Sequence, residues 1–557
     1  MLTIQEIFDE IKTSGGLTPS RRLRDIATRF PDQVAFRDKR FGIWNEITYG
    51  EFWTQVQYVG SALNYFGIER TDKGAIHSEN RPEWLIAMFA IAKIGATTVA
   101  ISTFSTQREL HWTLKHSRSS CVISISSLKN HNFIENLQEI CPEYKDSKIG
   151  KLRSKALPRL KNIIAIEEKS IGAIINWHDL RKMAQMTKPE NLQDAQGKVK
   201  SGDTCFILYT SGSTAEPKGV ILAHGNVITN GYHIGERQAL SDRDRLWFAV
   251  PLFWSFGSAN ALPAVITHGG CLVLQETFEP NEALEIMAAE RCTVFYGMIN
   301  IARALLEAPS YSLDKVKYMR TGLTIGLPED IEFIIRTLDA KEICNVYGST
   351  ETYGNAAVCH TTDPLEVRLN SQGLPLPGMK IRAVDIETRT PLKKGVVGEL
   401  TVAGCVTPGY FGNIKQTQSS FDKEGYFLTG DLGFVGEDGR IYYRGRLKEM
   451  IKTGGINVAP LEIENILMRY PKTKQAFVFG IPDAVKDEKI IAVLETKDNF
   501  ELDANALKKY CRRELAAYKV PEQFILRTNE QLPRTSTGKI NKPELKSQII
   551  ELSLIHI

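Results

Sequence analysis

Between residues 270 and 350 the chain alternates short apolar runs with amphipathic stretches about three times as long. Strands are expected at 272–274, 293–296, 316–319 and 342–346, and helices at 281–290, 299–307 and 328–338. Strands joined through helices run parallel, and a parallel sheet must be covered on both faces. Most of these strands end in small or hydroxylated residues: Gly297, then Thr321 and Gly322, then Tyr347, Gly348, Ser349 and Thr350. In open α/β sheets ligands sit beyond the carboxyl ends of the strands, so a pocket belongs there.

The surrounding sequence extends this plan. After Pro375 come short strands punctuated by Gly and Pro, a small β-rich region. A charged segment at 444–452 then leads into helix 460–469, strands 476–479 and 490–495, and helix 504–516. The fold class is therefore α/β, with a large N-terminal domain at 1–445, a hinge at 446–449 and a small α+β C-terminal domain at 450–548. A chain of 557 residues exceeds what one core spans, in keeping with two domains. The stretch 84–101 divides into a buried helix and a Thr/Val/Ile strand rather than a membrane span, because Lys93 and Gly95 interrupt it. The final "LSLIHI", 552–557, shows no cap or amphipathic pattern and is expected to be a non-native tail.

Charge excludes one class of partner. The 69 basic and 65 acidic residues leave a net charge of +4, no electrostatic case for nucleic acid. Nine cysteines without a C-x-x-C pair and ten unclustered histidines point to a reduced, cytoplasmic setting without structural zinc.

The chemistry concentrates in a few loops. "YTSGSTAEPKGV", 209–220, lies between two apolar strands. Its hydroxyls at Thr210, Ser211, Ser213 and Thr214, its Gly212 and its Lys218 suit phosphate oxygens. It is not a P-loop, since Lys218 is flanked by Pro217 and Gly219. Alone, it would serve equally as a surface turn. "NVYGSTETYG" adds Tyr347, Thr350 and Glu351, "YFLTGDLG" sets Asp431 in a Gly-flanked turn, "GRLKEMIKTGGINV" opens on Arg446, and "LPRTSTGKINK" carries Lys539.

In this order and spacing, these motifs resemble those of the adenylate-forming superfamily of acyl-CoA synthetases, adenylation domains and beetle luciferases. The likeness runs from about Ile47 to Lys542 and is nearest to the acyl- and aryl-CoA ligases. It implies that the 210–218 loop wraps the β- and γ-phosphates of ATP, Tyr347 stacks on adenine, Thr350 touches the α-phosphate and Glu351 holds Mg²⁺. It further implies that Asp431 binds the ribose with Arg446 nearby, and that Lys539 bridges the substrate carboxylate and the α-phosphate. A mobile small domain would turn about Lys448, withdrawing Lys539 and bringing Gly454 and Gly455 to the passage of coenzyme A. A carboxylate attacking a phosphate brings anion to anion, so such a reaction needs cations and donors where charge develops.

The resemblance places the acyl pocket along 251–270 with Trp254 and Phe256, completed by Tyr296, Gly297, Thr321, Gly322 and Gly348. Many relatives carry His where this chain has Trp254. One of Phe253, Trp254 and Phe256 is expected to be a packing residue. The resemblance implies that amino-acid-activating relatives hold the α-amine with an acid in this stretch; it holds no Asp or Glu here, and an unpaired buried amine would cost several kcal/mol, which disfavours amino acids. An apolar monocarboxylic acid remains, whether medium-chain, aromatic or alicyclic. The alternatives are a ligase that loads an acyl carrier protein and, from another class, a non-catalytic nucleotide sensor.

Overall fold

The computed structural model describes residues 18–40, 42–128, 131–186, 189–210, 217–453, 456–471, 473–483, 487–497, 503–534 and 540–555. Ser211, Gly212, Ser213, Thr214, Gly454, Gly455 and Lys539, all named above, lie outside them. The chain divides into two compact units, one of Met1–Lys380 and Val402–Phe427, the other of Ile381–Thr401 and Leu428–Ile557. The boundary read near residue 446 falls inside the second unit.

The first unit holds two large sheets. A nine-stranded sheet centres on parallel strands Cys271–Leu274, Arg245–Phe248, Val294–Tyr296, Thr321–Thr324 and Glu342–Tyr347. Helices Pro280–Ala289, Ile299–Glu307 and Pro328–Leu338 cover one face, burying Trp247, Val273, Phe295 and Ile343 against Leu284, Leu305 and Ile334. Local chemistry starts these helices where they start. Glu279 caps the first by accepting from the backbone N–H of Asn281 and Glu282 at 3.1 and 2.7 Å, and Pro280 needs no donor partner at its first position.

The seven-stranded sheet runs Lys218–Ala223, Thr204–Thr210, Thr97–Ile101, Lys73–His77, Cys121–Ser124, Asn162–Ala165 and Ile174–Asn176. Its first two strands form an antiparallel hairpin, and the other pairings are parallel. Helix Pro82–Lys93 is buried at all of its positions, which is why its sequence is apolar around its circumference. It gives way at Gly95, φ 74°, to strand Thr97–Ile101, so the 84–101 stretch divides as expected. Among the described residues no helix is long and apolar enough to cross a membrane.

One predicted strand is corrected. Residues 316–319 are not extended: a short helix, Leu313–Val316, ends there, and the strand is Thr321–Thr324. Val316 and Met319 are both buried, three residues apart, with the Met319 N–H donating to the Val316 carbonyl at 2.9 Å, a helical spacing rather than an alternating one. Pairing begins at Arg320, whose N–H donates to the Thr293 carbonyl.

The second unit comprises most of a four-stranded sheet, Lys380–Val384, Gly398–Ala403, Phe427–Val435 and Ile441–Arg446, and a five-stranded sheet built on the hairpin Thr473–Asp483 and Asp487–Thr496. Helices Pro460–Met468 and Ala504–Glu514 pack on the latter through Ile463, Leu467, Leu507 and Cys511. Helix Lys542–Ile555 runs through four residues of the supposed tail. Extending an existing helix adds a hydrogen bond per residue without a new nucleus, so the absence of a sequence pattern did not stop it.

Candidate active site

In the first unit three segments converge. The hairpin places Thr210 opposite Lys218 in register, at the two feet of the loop. Below it, the Tyr209 hydroxyl lies 2.7 Å from His116 Nδ1, and His116 stacks on Trp112 with ring centroids 4.6 Å apart. Gly219 has a structural reason: a Cβ there would come 2.9 Å from Ile207 Cγ2 and 3.4 Å from Phe411 Cβ. The segment 407–411 joins the hairpin as the Phe411 N–H donates to the Gly219 carbonyl and the Ile221 N–H to the Gly409 carbonyl.

That segment reaches the second element of the site. Strand Glu342–Tyr347 ends in the turn Thr350–Thr352. The Thr407 N–H donates to the Glu351 backbone carbonyl at 2.6 Å, and the Tyr410 hydroxyl donates to Glu351 Oε1 at 2.8 Å. Lys218 Nζ stands 5.6 Å from the centroid of the same Tyr410 ring. Helix His224–Arg237 fixes the far side of the turn: Asn226 Nδ2 donates to the Tyr353 hydroxyl, and Asn230 Nδ2 to the Asn355 carbonyl. Tyr353 itself sits at φ 58°, a left-handed conformation that costs a non-glycine residue about 1 kcal/mol.

The third element is 251–270. Ser255 Oγ and Thr350 Oγ1 are 2.9 Å apart. Phe253 is buried, making it the packing member of its aromatic trio, whereas Trp254 and Phe256 are half-buried. Phe256 contacts Tyr296 at 5.2 Å between ring centroids, and the Tyr296 hydroxyl accepts from Gln238 Nε2 at 2.7 Å. A π-helical turn, Phe256–Ala261, follows. It buries Asn260 against Gly354 with neither side-chain amide atom hydrogen-bonded among the described residues.

Several predicted wall residues have other employment. The space left by the missing Cβ of Gly297 is taken by the Phe295 ring, whose Cζ is 2.5 Å from where that carbon would stand. At Gly348 the same carbon would strike the Gly354 carbonyl and the Asn355 backbone at 2.4 and 2.5 Å, and at Gly322 the Phe295 carbonyl at 2.0 Å. These glycines let backbones approach one another. Thr321 is fully buried at the start of its strand and donates to the Glu342 carbonyl; the strand's carboxyl end is Thr324, whose buried hydroxyl has no partner among the described residues. Tyr347 is 4% exposed.

In the second unit Asp431 lies within strand Phe427–Val435, directly across from Arg446, and not in a turn as its flanking glycines suggest. Its carboxylate is 3% exposed and pairs with Arg446 Nη1 at 2.9 Å. The Asp431 N–H donates to Thr429 Oγ1, and the Gly430 N–H to Glu399, which is ion-paired with Arg389. Lys448 is exposed in a short turn, Leu447–Glu449.

Sequence reasoning missed Ser255, Asn260, Thr407 and Tyr410. The signal for Tyr410 was its place in "TPGYFG", a Gly-flanked aromatic, though nothing local to it names Glu351 as its partner.

Comparison with known proteins bears on this constellation. Residues 23–411 match the family model described as AMP-binding enzyme, and residues 462–539 match the AMP-binding enzyme C-terminal domain. The chain is 31% identical over 541 residues to a putative acyl-CoA synthetase, YngI, of Bacillus subtilis (strain 168), covering 96% of this chain and 97% of that one. It is 28% identical to the mitochondrial medium-chain acyl-CoA ligase ACSF2 of Homo sapiens, covering 96% and 87%. Among solved structures it superposes on ATP-bound MatB from Rhodopseudomonas palustris with a TM-score of 0.80 at 24% identity, covering 96% and 99% of the two chains. The anthranilate CoA ligase AuaEII in complex with anthranoyl-AMP gives 0.80 at 22%, covering 95% and 97%.

Proposed function

The chain belongs to the AMP-binding enzyme family, and on that premise we propose that it is an AMP-forming carboxylic acid–CoA ligase for an apolar monocarboxylic acid. The observation that carries this reading is the tie between Glu351, Thr350 and the phosphate hairpin made by Tyr410, Thr407 and Ser255. It holds a carboxylate and a hydroxyl at a strand's carboxyl end, beside the feet of a loop rich in donors.

The first half-reaction joins the substrate carboxylate to the α-phosphate of ATP and expels pyrophosphate. The second transfers the acyl group to the thiol of coenzyme A, releasing AMP and the thiol proton. The Thr350 hydroxyl, 2.9 Å from Ser255 Oγ, would donate to an α-phosphate oxygen. Lys539 brings the positive charge that an anion attacking an anion requires. Mg²⁺ asks for oxygen ligands and is usually held by one or two carboxylates with phosphate and water. Glu351 fits that demand: Tyr410 binds one of its oxygens and orients the other. When bound, the ion neutralises phosphate charge. Asp431 accepts from the ribose hydroxyls beside Arg446, Tyr347 packs on the base, and Lys448 serves as the pivot that exchanges Lys539 for the Gly454 and Gly455 passage.

The absence of acids along 251–270, and the similarity to a ligase named for medium-chain acids, support an apolar tail. Pyrophosphate release, for adenylate formation, and AMP release, for acyl transfer, should be measured over straight-chain acids of graded length, benzoate, cinnamate and cyclohexanecarboxylate, with and without coenzyme A. AMP release that depends on coenzyme A and peaks at medium chain length is expected. Adenylate formation indifferent to coenzyme A would transfer the acceptor role to a carrier protein, and silence with every acid would overturn the reading in favour of a nucleotide sensor.

A further inference from the structure

Within the second unit, the helix that follows Lys539 is fastened to the stretch that follows Lys448. Lys539 stands one residue before the described segment 540–555. Ile540 pairs with Arg534 as an isolated antiparallel bridge, and the Asn541 N–H donates to the Pro533 carbonyl at 2.8 Å. Asn541 then caps helix Lys542–Ile555: its Oδ1 accepts the Glu544 N–H at 3.3 Å, and its Nδ2 donates to Glu544 Oε2 at 2.9 Å. Leu545 and Ile549 seat the helix on Ile491 and Val493 of the hairpin.

Lys542 and Lys546, one turn apart, lie on one face of this helix. Lys542 Nζ reaches Glu464 Oε1 at 3.2 Å and Glu449 Oε2 at 3.3 Å. Lys546 Nζ reaches Glu488 Oε1 at 3.5 Å, and the other oxygen of Glu488 accepts the Lys452 N–H at 2.8 Å. Glu449 follows Lys448 directly, and Lys452 lies just before Thr453 and Gly454. The stretch from the pivot to the glycines is therefore held at both ends by the helix that starts just after Lys539. The inner tie is structural: Glu464 is 5% exposed and also accepts the Val478 N–H at 2.9 Å, and a buried carboxylate needs its counter-charge. The outer ties, through exposed Glu449 and half-buried Glu488, add little to stability. Two of them spanning one short stretch fix its distance and orientation to the helix instead.

Resting on the reading of Lys539 and Lys448 given above, we propose that Lys542 and Lys546 are positioning residues for adenylation. With Glu449 and Glu488 they hold the chain at Ile540–Lys542 at a fixed place relative to Lys448, and so set the reach of Lys539.

Pre-steady-state pyrophosphate release by the full-length protein at saturating acid tests this. Lys542→Met would strand Glu464 and damage the fold, so the deciding variant is the double change Glu449→Gln/Lys546→Met, made in wild type and in Lys539→Ala. In wild type it should lower the adenylation rate constant about tenfold, well within what a small misplacement of a reacting group costs. The KM for ATP should change by about twofold or less and the thermal midpoint by about 2 °C or less. Glu449→Gln/Lys546→Arg, which keeps the second tie, should recover part of the rate. In Lys539→Ala the same double change should cost about twofold or less, because the group it acts through is gone. An equal loss in both backgrounds, or an unchanged rate in wild type, would overturn this inference alone. Full adenylation by Lys539→Ala itself would overturn the assignment of Lys539, and this inference with it.

Discussion

The two edges of the seven-stranded sheet gather polar groups from different parts of the chain. At the carboxyl edge the groups come from one loop and two turns: Thr210 and Lys218 at the feet of the hairpin, and Thr350 and Glu351 tied in by Ser255 and Tyr410. At the amino edge they are side chains on already folded helices, Arg21, Arg24, Lys93 and Gln196. A carboxylate belongs to the first set, whereas the four side chains named at the second are three cations and an amide. A site that passes ATP, an adenylate and a thioester in turn must rearrange its donors, and loops do so at little cost.

The largest effect is expected at Lys539, the cation proposed above for adenylation. Lys539→Ala should lower adenylate formation by about 10²–10³-fold, the range for removing one donor to developing charge. Thioester formation from supplied acyl-adenylate should change by about twofold or less; equal loss of both steps would remove the division of labour. A smaller effect belongs to the support of Glu351. Tyr410→Phe should cut adenylation about tenfold, with the deficit partly recovered at high Mg²⁺, because it deletes one hydrogen bond to a charged group. A deficit unmoved by Mg²⁺ would make Tyr410 a packing residue only.

The smallest effect is at the far edge, where Lys93 lies in the field of Arg24, itself paired with Asp25. With a folded value of about 8, below the usual 10 or so for lysine, the native protein binds fewer protons than the unfolded chain between those values. Stability should therefore rise with pH across that window in wild type relative to Lys93→Met, by a few degrees in midpoint at most. Parallel pH profiles for the two proteins would mean that burial does not hold Lys93 below its usual value.

Much of the fold is legible because its signals are local. The helices at 299–307 and 328–338 carry their own periodicity, the second also a Pro at its first position, and the nearby βα order leaves little choice but a parallel sheet. Legibility fails at the third strand: 316–319 reads as strand and 321–322 as the cluster at its end, whereas pairing with Val294–Tyr296 and Glu342–Tyr347 places the strand at Thr321–Thr324. Asp431 looked like a turn residue because Gly430 and Gly433 flank it, yet its strand is set by Ile441–Arg446. The glycines at 297, 322 and 348 read as walls of the acyl pocket, yet the space left by each missing Cβ is met by Phe295 or by the 354–355 backbone.

The sequence by itself determined the family, the parallel α/β plan, and which residue types serve phosphate and carboxylate chemistry, since these follow from short-range pattern and ordered motifs. Only the tertiary structure decided that Tyr410 reaches Glu351 across 59 residues, that Ser255 reaches Thr350 across 95, and that Lys93 meets Gln196 across 103. Such contacts depend on how strands register and helices pack. A side chain's partner is fixed by that geometry, and its neighbours in sequence carry no record of it.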